Sequence, residues 1–337
     1  MSGGDVLTSP RSELLHGTTG RDHPDGAARV GPAGGGVAVL IPCYNEALTV
    51  ANVVAGFRAA LPDARIYVYD NNSRDGTADI ARAAGAIVRV ELRQGKGNVV
   101  RRMFSDIDAD CYVMVDGDDT YSPSIASRGV ELVLDDGYDF VNVARLSTAT
   151  EAYRRGHKLG NVALTQIVRT FFGRQTTDML SGYKLLSRRF VKSFPAMSGG
   201  FETETELTVH ALEMRMPMTE LSADYKERPD GSTSKLRTYH DGAKILMLIS
   251  RLVKDERPLQ FFTSIGIAFG AVGLALGLPI VLTFFETGLV PRLPTAVLSV
   301  GFEVLACLSV FAGLILDVVT KSRQELKRLV YLSIGPR

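Results

Sequence analysis

What this sequence lacks narrows its class before any motif is read. Its formal net charge is only +1 over 337 residues, so nothing global attracts nucleic acid and any basic patch has to be local. Cysteine is scarce: Cys43, Cys111 and Cys307 lie far apart, fit neither a disulfide framework nor a zinc pattern, and are expected to be reduced cytosolic thiols. No apolar leader opens the chain. Residues 1–36 are rich in Gly, Pro, Ser, Thr and scattered charge without apolar periodicity. They predict a disordered tail and a globular part that stays on the side of the membrane where it is made. What is abundant lies toward the C-terminus, in apolar runs longer than soluble helices use.

From Val37 the pattern becomes strand, turn and helix. Residues 37–41 form an apolar run ended by Pro42-Cys43-Tyr44-Asn45-Glu46, and residues 49–61 have helical spacing. Residues 65–69 predict a second strand ending in Asp70-Asn71-Asn72-Ser73. Asp75-Gly76-Thr77 then opens a helix to about residue 84, with Asp75 or Thr77 as its cap. A third strand, residues 86–91, runs into Arg93-Gln94-Gly95-Lys96-Gly97-Asn98 and another helix. The fourth, residues 111–115, stops at Asp116-Gly117-Asp118-Asp119. Such alternation predicts an α/β fold with a mostly parallel sheet covered on both faces. Open sheets of this kind bind ligands outside the carboxyl ends of their strands. Tyr44, Asn45, Glu46, Asp70, Asn71, Lys96, Asp116, Asp118 and Asp119 are therefore expected along one edge.

Carboxylates crowded together repel unless a cation or a proton sits among them, and Mg²⁺ takes one or two carboxylates plus substrate phosphates. The acidic cluster thus reads as a metal-diphosphate site; a solvated acidic turn uses the same residue types. A carboxylate after an early strand can accept hydrogen bonds from a ribose or base edge. A nucleoside diphosphate compound is the expected occupant of the crevice.

Pro42-Cys43-Tyr44-Asn45-Glu46, Asp70-Asn71-Asn72-Ser73-Arg74-Asp75-Gly76-Thr77, Gly95-Lys96-Gly97 and Asp116-Gly117-Asp118-Asp119, in this order, resemble the family 2 glycosyltransferases of GT-A fold over residues 37–240. Three later stretches are similar to the branch of that family that glycosylates dolichyl and undecaprenyl phosphates. They are Asp178-Met179-Leu180-Ser181-Gly182-Tyr183-Lys184, Phe201-Glu202-Thr203-Glu204-Thr205-Glu206-Leu207, and the run from Tyr225 to Leu236. The resemblance implies a Rossmann-like GT-A catalytic domain, inverting transfer from a nucleotide-diphosphate sugar donor to a polyprenyl phosphate acceptor, and Mg²⁺ or Mn²⁺ as cofactor. It assigns Pro42, Tyr44, Glu46 and Asp70 to the nucleoside, and Asp116 and Asp118 to metal and diphosphate. Ser181 and Gly182 fall on a loop beside the sugar, and Arg228, Ser234 and Lys235 on a loop closing over phosphates. Asn71 and Lys96 complete the expected donor-binding set; Asp118, Arg228 and Lys235 form the catalytic set. Relatives in the dolichyl branch often have Gln where this chain has Thr120, which leaves the third protein ligand open.

Residue chemistry agrees for the phosphate loop, since Arg offers a planar fork and Lys a mobile point charge. Pro229-Asp230-Gly231-Ser232 suits a flexible surface loop equally. Glu202, Glu204 and Glu206 fit a first helical turn, where acids favour the macrodipole and Thr203 or Thr205 can cap; one of the three facing the sugar is the alternative. His157 and His210 are expected to be surface or packing residues.

Residues 243–254 mix apolar positions with Lys244, Arg251 and Lys254, as an interfacial helix or an amphipathic core helix does. Residues 259–285 carry no charge at all, and a helix needs about 20 apolar residues to span hydrocarbon. A second span, residues 293–319, contains Glu303 and, near its end, Asp317. A charge inside the bilayer usually faces protein or marks function, so Glu303 is expected to face the other helix or an oligomer partner. Lys254 and Arg257 precede the first span, Lys321, Arg323, Lys327 and Arg328 follow the second, and Arg292 is alone between them. The positive-inside rule then puts both ends in the cytoplasm, with the hairpin in the inner or plasma membrane. The expected organisation is a tail to residue 36, a catalytic domain over 37–240, an interfacial helix over 241–257, a transmembrane hairpin over 258–320 and a cytoplasmic tail over 321–337.

Rival readings meet specific residues. The chain has no Trp and so lacks the Gln-x-x-Arg-Trp motif of synthases that extend a polysaccharide through a pore. Its first strand leads into Pro-Cys-Tyr-Asn-Glu, whereas sugar-phosphate nucleotidylyltransferases have a glycine-rich basic loop there. A membrane scaffold with a degenerate transferase domain is the non-enzymatic alternative.

Overall fold

The computed structural model describes residues 35–146, 177–200, 202–226 and 254–335, with positions 247 and 250. Most of the expected N-terminal tail and interfacial helix, His157, and all of Arg228, Ser234 and Lys235 lie outside the described residues.

Strand β1 (Val37–Cys43) shows why the first apolar run is continuous. Ala38 and Leu40 pack on one face with Tyr67, Val100 and Met103. Val39 and Ile41 pack on the other with Phe57, Val113 and Leu185. A strand covered on both faces needs an apolar residue at nearly every position. Parallel to β1 on either side run β2 (Arg65–Asp70) and β4 (Cys111–Met114), and β3 (Ile87–Val90) pairs parallel outside β2. The crossovers are α1 (Val50–Ala60), α2 (Thr77–Ala83) and α3 (Lys96–Asp106). Four strand ends therefore share one edge, as expected. At α2 the capping differs from expectation. Gly76 holds the cap position in the left-handed region (φ 85°), and Asp75 acts from one residue earlier, accepting from the Thr77 amide at 3.1 Å and hydroxyl at 2.5 Å.

The full sheet has seven strands in the order β3-β2-β1-β4-β6-β5-β7. Helix α4 (Ala126–Leu134) precedes β5 (Phe140–Leu146); β6 (Lys184–Ser187), α5 (Arg188–Ser193), α6 (Thr203–Glu213) and β7 (Met218–Asp224) follow. β6 runs antiparallel to β4 and β5, while β5 and β7 are parallel. This half hides polar side chains: Lys184 is fully buried and donates to Asn142 Oδ1 at 2.7 Å.

Two helices, α7 (Pro258–Thr287) and α8 (Leu293–Ser333), are long and apolar enough to cross a membrane. They pack on one another, with Ser299 Oγ donating to the Gly273 carbonyl at 2.7 Å. Glu303 faces α7: a Cβ on Gly273 would stand 2.7 Å from its carboxylate. Helix α8 continues to Ser333, so residues 321–333 are helical. They dock on the catalytic domain. Lys327 Nζ reaches Glu213 at 3.0 Å, Tyr331 donates to Asp139 Oδ2 at 2.7 Å, and the Arg189 guanidinium lies over the Tyr331 ring.

Candidate active site

The first two strand-end loops are stitched together before they meet any ligand. Asn45 N–H donates to Ser73 Oγ at 2.8 Å and Glu46 N–H to Thr77 Oγ1 at 2.9 Å. Thr49 Oγ1 donates to the Gly117 carbonyl at 2.6 Å, joining the β1 loop to the acidic turn. Tyr44 is exposed and Pro42 half-buried at the rim. Asp70 is 5% exposed; its Oδ2 accepts from the Ser73 amide at 3.1 Å, and its enclosed Oδ1 has no donor among the described residues.

Asn71 performs a different task from its neighbour. Its Nδ2 donates to the carbonyls of Glu91 and Arg93 at 2.8 and 2.9 Å, and its Oδ1 accepts from the Gly95 amide at 2.7 Å. Both donors and the acceptor of the amide are thus engaged in fixing the third loop, which delivers Lys96. Gly97 is required there by close approach: a Cβ would stand 2.2 Å from the Ser198 carbonyl oxygen. The Ala196–Gly200 backbone that crowds it is held on both sides. Arg101 donates to the Ala196 carbonyl at 2.8 and 2.9 Å, and the Glu206 carboxylate accepts from the amides of Met197 and Ser198 at 2.7 and 2.8 Å.

In the acidic turn Asp119 adopts φ 56°, a left-handed conformation that Asp and Asn tolerate better than most residues. Asp118 is 4% exposed, and its Oδ1 accepts from Thr120 Oγ1 at 2.6 Å. Asp116 is ion-paired to Lys96, which also pairs with Glu204. Gly182 abuts Asp116 so closely that a Cβ would fall 2.0 Å from Oδ2, and its amide donates to Tyr121 Oη at 2.8 Å. Ser181 lies behind this turn, fully buried, donating to the Val143 carbonyl at 2.5 Å. The structure therefore brings Lys96, Asp116, Asp118 and Gly182 together and sets Asp70 at the end of a strand on the same edge, with Asn71 and Ser181 bracing the loops.

Glu204 joins this group, where the sequence left it either an acid of the first helical turn or one of three candidates to face the sugar. Its side chain is 6% exposed, because every residue of α6 from Thr203 to Leu212 is buried; a buried first turn is not visible in a window of alternating Thr and Glu. The expected threonine cap is absent. Thr203 Oγ1 donates to the Gly200 carbonyl at 2.8 Å, and Thr205 Oγ1 has no partner among the described residues. His210 is a packing residue, set between Phe190 and Phe194, with burial pushing its imidazole down to about 3.

Electrostatically the cluster is short of positive charge. Burial pushes the Asp116 carboxyl up to about 6; Lys96 opposes this, while Asp118 and Glu204 add to it. Burial works against the Lys96 ammonium, yet Asp116 and Glu204 outweigh it and hold the group above the usual lysine range. Among the described residues no three His, Cys, Asp or Glu side chains form a metal cage. Asp116 and Asp118 instead suit a hard divalent ion that draws its remaining ligands from a diphosphate and water.

Comparison with known proteins agrees with this geometry. Residues 38–194 match the family described as Glycosyl transferase family 2. Glycosyltransferase AglJ of Haloferax volcanii is 32% identical over 300 residues, covering 88% of this chain and 98% of that protein. The dolichyl-phosphate hexose transferase of the same organism is 26% identical over 66% of this chain and 95% of its own length. Among solved structures, glucosyl-3-phosphoglycerate synthase from Mycobacterium tuberculosis, in complex with Mn²⁺, UDP-glucose and phosphoglyceric acid, superposes with a TM-score of 0.55 at 22% identity, covering 66% of this chain and 80% of that one. With polar strand ends gathered at one edge of such a sheet, and a relative matched over nearly its whole length, this chain belongs to the family 2 glycosyltransferases and has their GT-A fold.

Proposed function

We propose that the protein transfers a sugar, a hexose by analogy with its dolichyl-phosphate relative, from a nucleotide-diphosphate donor to a polyprenyl phosphate at the cytoplasmic face of the membrane. One observation carries the reading: the acidic crevice at the β1 to β4 strand ends belongs to the same chain as two helices apolar enough to span a bilayer. The helices anchor the enzyme where a lipid acceptor resides, with both chain ends cytoplasmic by the distribution of Lys and Arg.

Tyr44, Pro42 and Glu46 frame the nucleoside, and Asp70 Oδ1, which has no donor among the described residues, accepts from a ribose hydroxyl or a base N–H. Asp116 and Asp118 would hold Mg²⁺ or Mn²⁺. When bound, that ion neutralises charge on the departing nucleoside diphosphate. A polyprenyl phosphate needs no general base, because the second pKa of a phosphate monoester is about 6 and its oxygen is already anionic. The protein's remaining work is alignment. Arg228, Ser234 and Lys235 hold the acceptor phosphate in line with the anomeric carbon and offset repulsion between the two phosphate groups. A single displacement inverts the anomeric centre.

The test incubates purified full-length protein with polyprenyl phosphate, Mg²⁺ or Mn²⁺, and a panel of labelled UDP- and GDP-sugars. Label moving into organic solvent with one donor supports the reading and identifies the sugar; none with any donor overturns it.

A further inference from the structure

We propose that Glu204 is a positioning residue for the donor site: it holds the Lys96 ammonium away from the cation position and maintains the surplus of negative charge that a divalent ion requires. The inference rests on the assignment of Asp116 and Asp118 above and deepens it. Lys96 touches both Asp116 and Glu204, and its side chain is 10% exposed. Three carboxylates, Asp116, Asp118 and Glu204, gather around this ammonium; the buried Lys184 also acts on Glu204 but donates to Asn142, so the ammonium that touches the acidic turn is that of Lys96.

Stability alone does not account for Glu204. One of its oxygens pairs with Lys96, while Oε2 is enclosed with no hydrogen-bond donor among the described residues. A buried carboxylate so placed is costly, and the opposite charge beside it recovers that cost only in part. Its effect on Lys96 is specific. The lysine stem is flexible and its ammonium a compact point charge, and it sits on the first residue of α3, whose loop is fixed by Asn71. Among the described residues the other carboxylate paired with Lys96 is Asp116 of the acidic turn, where without Glu204 the ammonium would compete directly with a cation.

The measurement is Mn²⁺ binding to full-length protein, followed by electron paramagnetic resonance in the presence of UDP or GDP, with circular dichroism to verify folding. Glu204→Gln is expected to weaken Mn²⁺ binding by about tenfold or more, as expected for losing one nearby charge in a partly enclosed site. Lys96→Met is expected to bind Mn²⁺ at least as tightly as the wild type. The double variant, which restores the charge balance, is expected to recover most of the affinity that Glu204→Gln loses; a merely structural role predicts no such recovery. Unchanged affinity in Glu204→Gln, or a double variant as weak as the single one, overturns the inference while leaving the donor site standing. If Glu204→Gln does not fold, Lys96→Met decides alone, and weakened binding in it overturns the inference. Absence of Mn²⁺ binding to the wild type with either nucleotide overturns the donor-site assignment and this inference together.

Discussion

Asp116 and Asp118 stand two residues apart yet are held by different partners, Lys96 for the first and Thr120 for the second. On the function proposed above, both serve as ligands of the divalent ion rather than as acid and base. Asp116→Asn or Asp118→Asn is expected to abolish transfer while the protein stays folded, and full activity in either variant, with and without added metal, would rule out the site. Asn71 lends itself to a second test. Its amide fixes the loop that delivers Lys96, and leaving buried groups without partners costs about 1–3 kcal/mol each. Asn71→Ala should therefore lower both the thermal midpoint and the transfer rate, the latter by roughly tenfold through misplacement alone; wild-type kinetics would show that the loop holds itself. At this scale the sequence displayed which side chains cluster but not how each is spent. Asn71 and Ser181 carry the same motifs as Asp70 and Gly182, and only the hydrogen bonds separate bracing residues from those left open. Glu204 was obscured for the same reason, since burial of a helical turn depends on what packs over it.

Among the elements, α6 and α8 depart most from a reading by sequence. Acidic residues in the first turn of α6 have a sufficient local explanation, yet Glu204 and Glu206 both reach other segments. Helix α8 runs past the end of its apolar stretch and docks through Lys327 and Tyr331. Tyr331→Phe removes the donor from a fully buried Asp139 oxygen and is expected to cost about 1–3 kcal/mol, read as a lower thermal midpoint; an unchanged midpoint would show that α8 does not depend on this contact. The neighbouring acids give the docking a pH dependence. Burial pushes the Glu213 carboxyl up to about 7, Glu256 adds to the effect and Lys327 opposes it. Burial raises Glu256 too, but its hydrogen bond with Glu213 and the Lys327 charge outweigh that and hold it below the usual range, so it stays charged near neutrality. A raised carboxyl means that the folded protein binds this proton more tightly than the unfolded chain. Its stabilisation is complete below the ordinary carboxylate range and is lost as pH rises through about 7. The thermal midpoint is expected to fall between about pH 6 and pH 8, and Glu213→Gln to flatten that slope; a midpoint that rises over this range would contradict the assignment.

The molecule as a whole joins a nucleotide-sugar fold to a pair of apolar helices. Its first half was legible because strands covered on both faces require unbroken apolar runs, and the chemistry stands where those runs end. β5, β6 and β7 were not legible: β6 is four residues long, reverses direction, and buries Lys184 against Asn142, so its polar residues look exposed until the partner strand is known. The helical hairpin was legible from length and charge alone, and Glu303 faces its neighbour as a costly charge should. The lipid acceptor proposed above is the central claim. With the donor that the labelled panel identifies, the enzyme is offered polyprenyl phosphate, the corresponding polyprenol, and a soluble phosphomonoester such as phosphoglycerate. The account predicts labelled product from polyprenyl phosphate, none from the polyprenol and little from the soluble acid. Efficient glycosylation of the soluble acceptor, with polyprenyl phosphate inert, would contradict it.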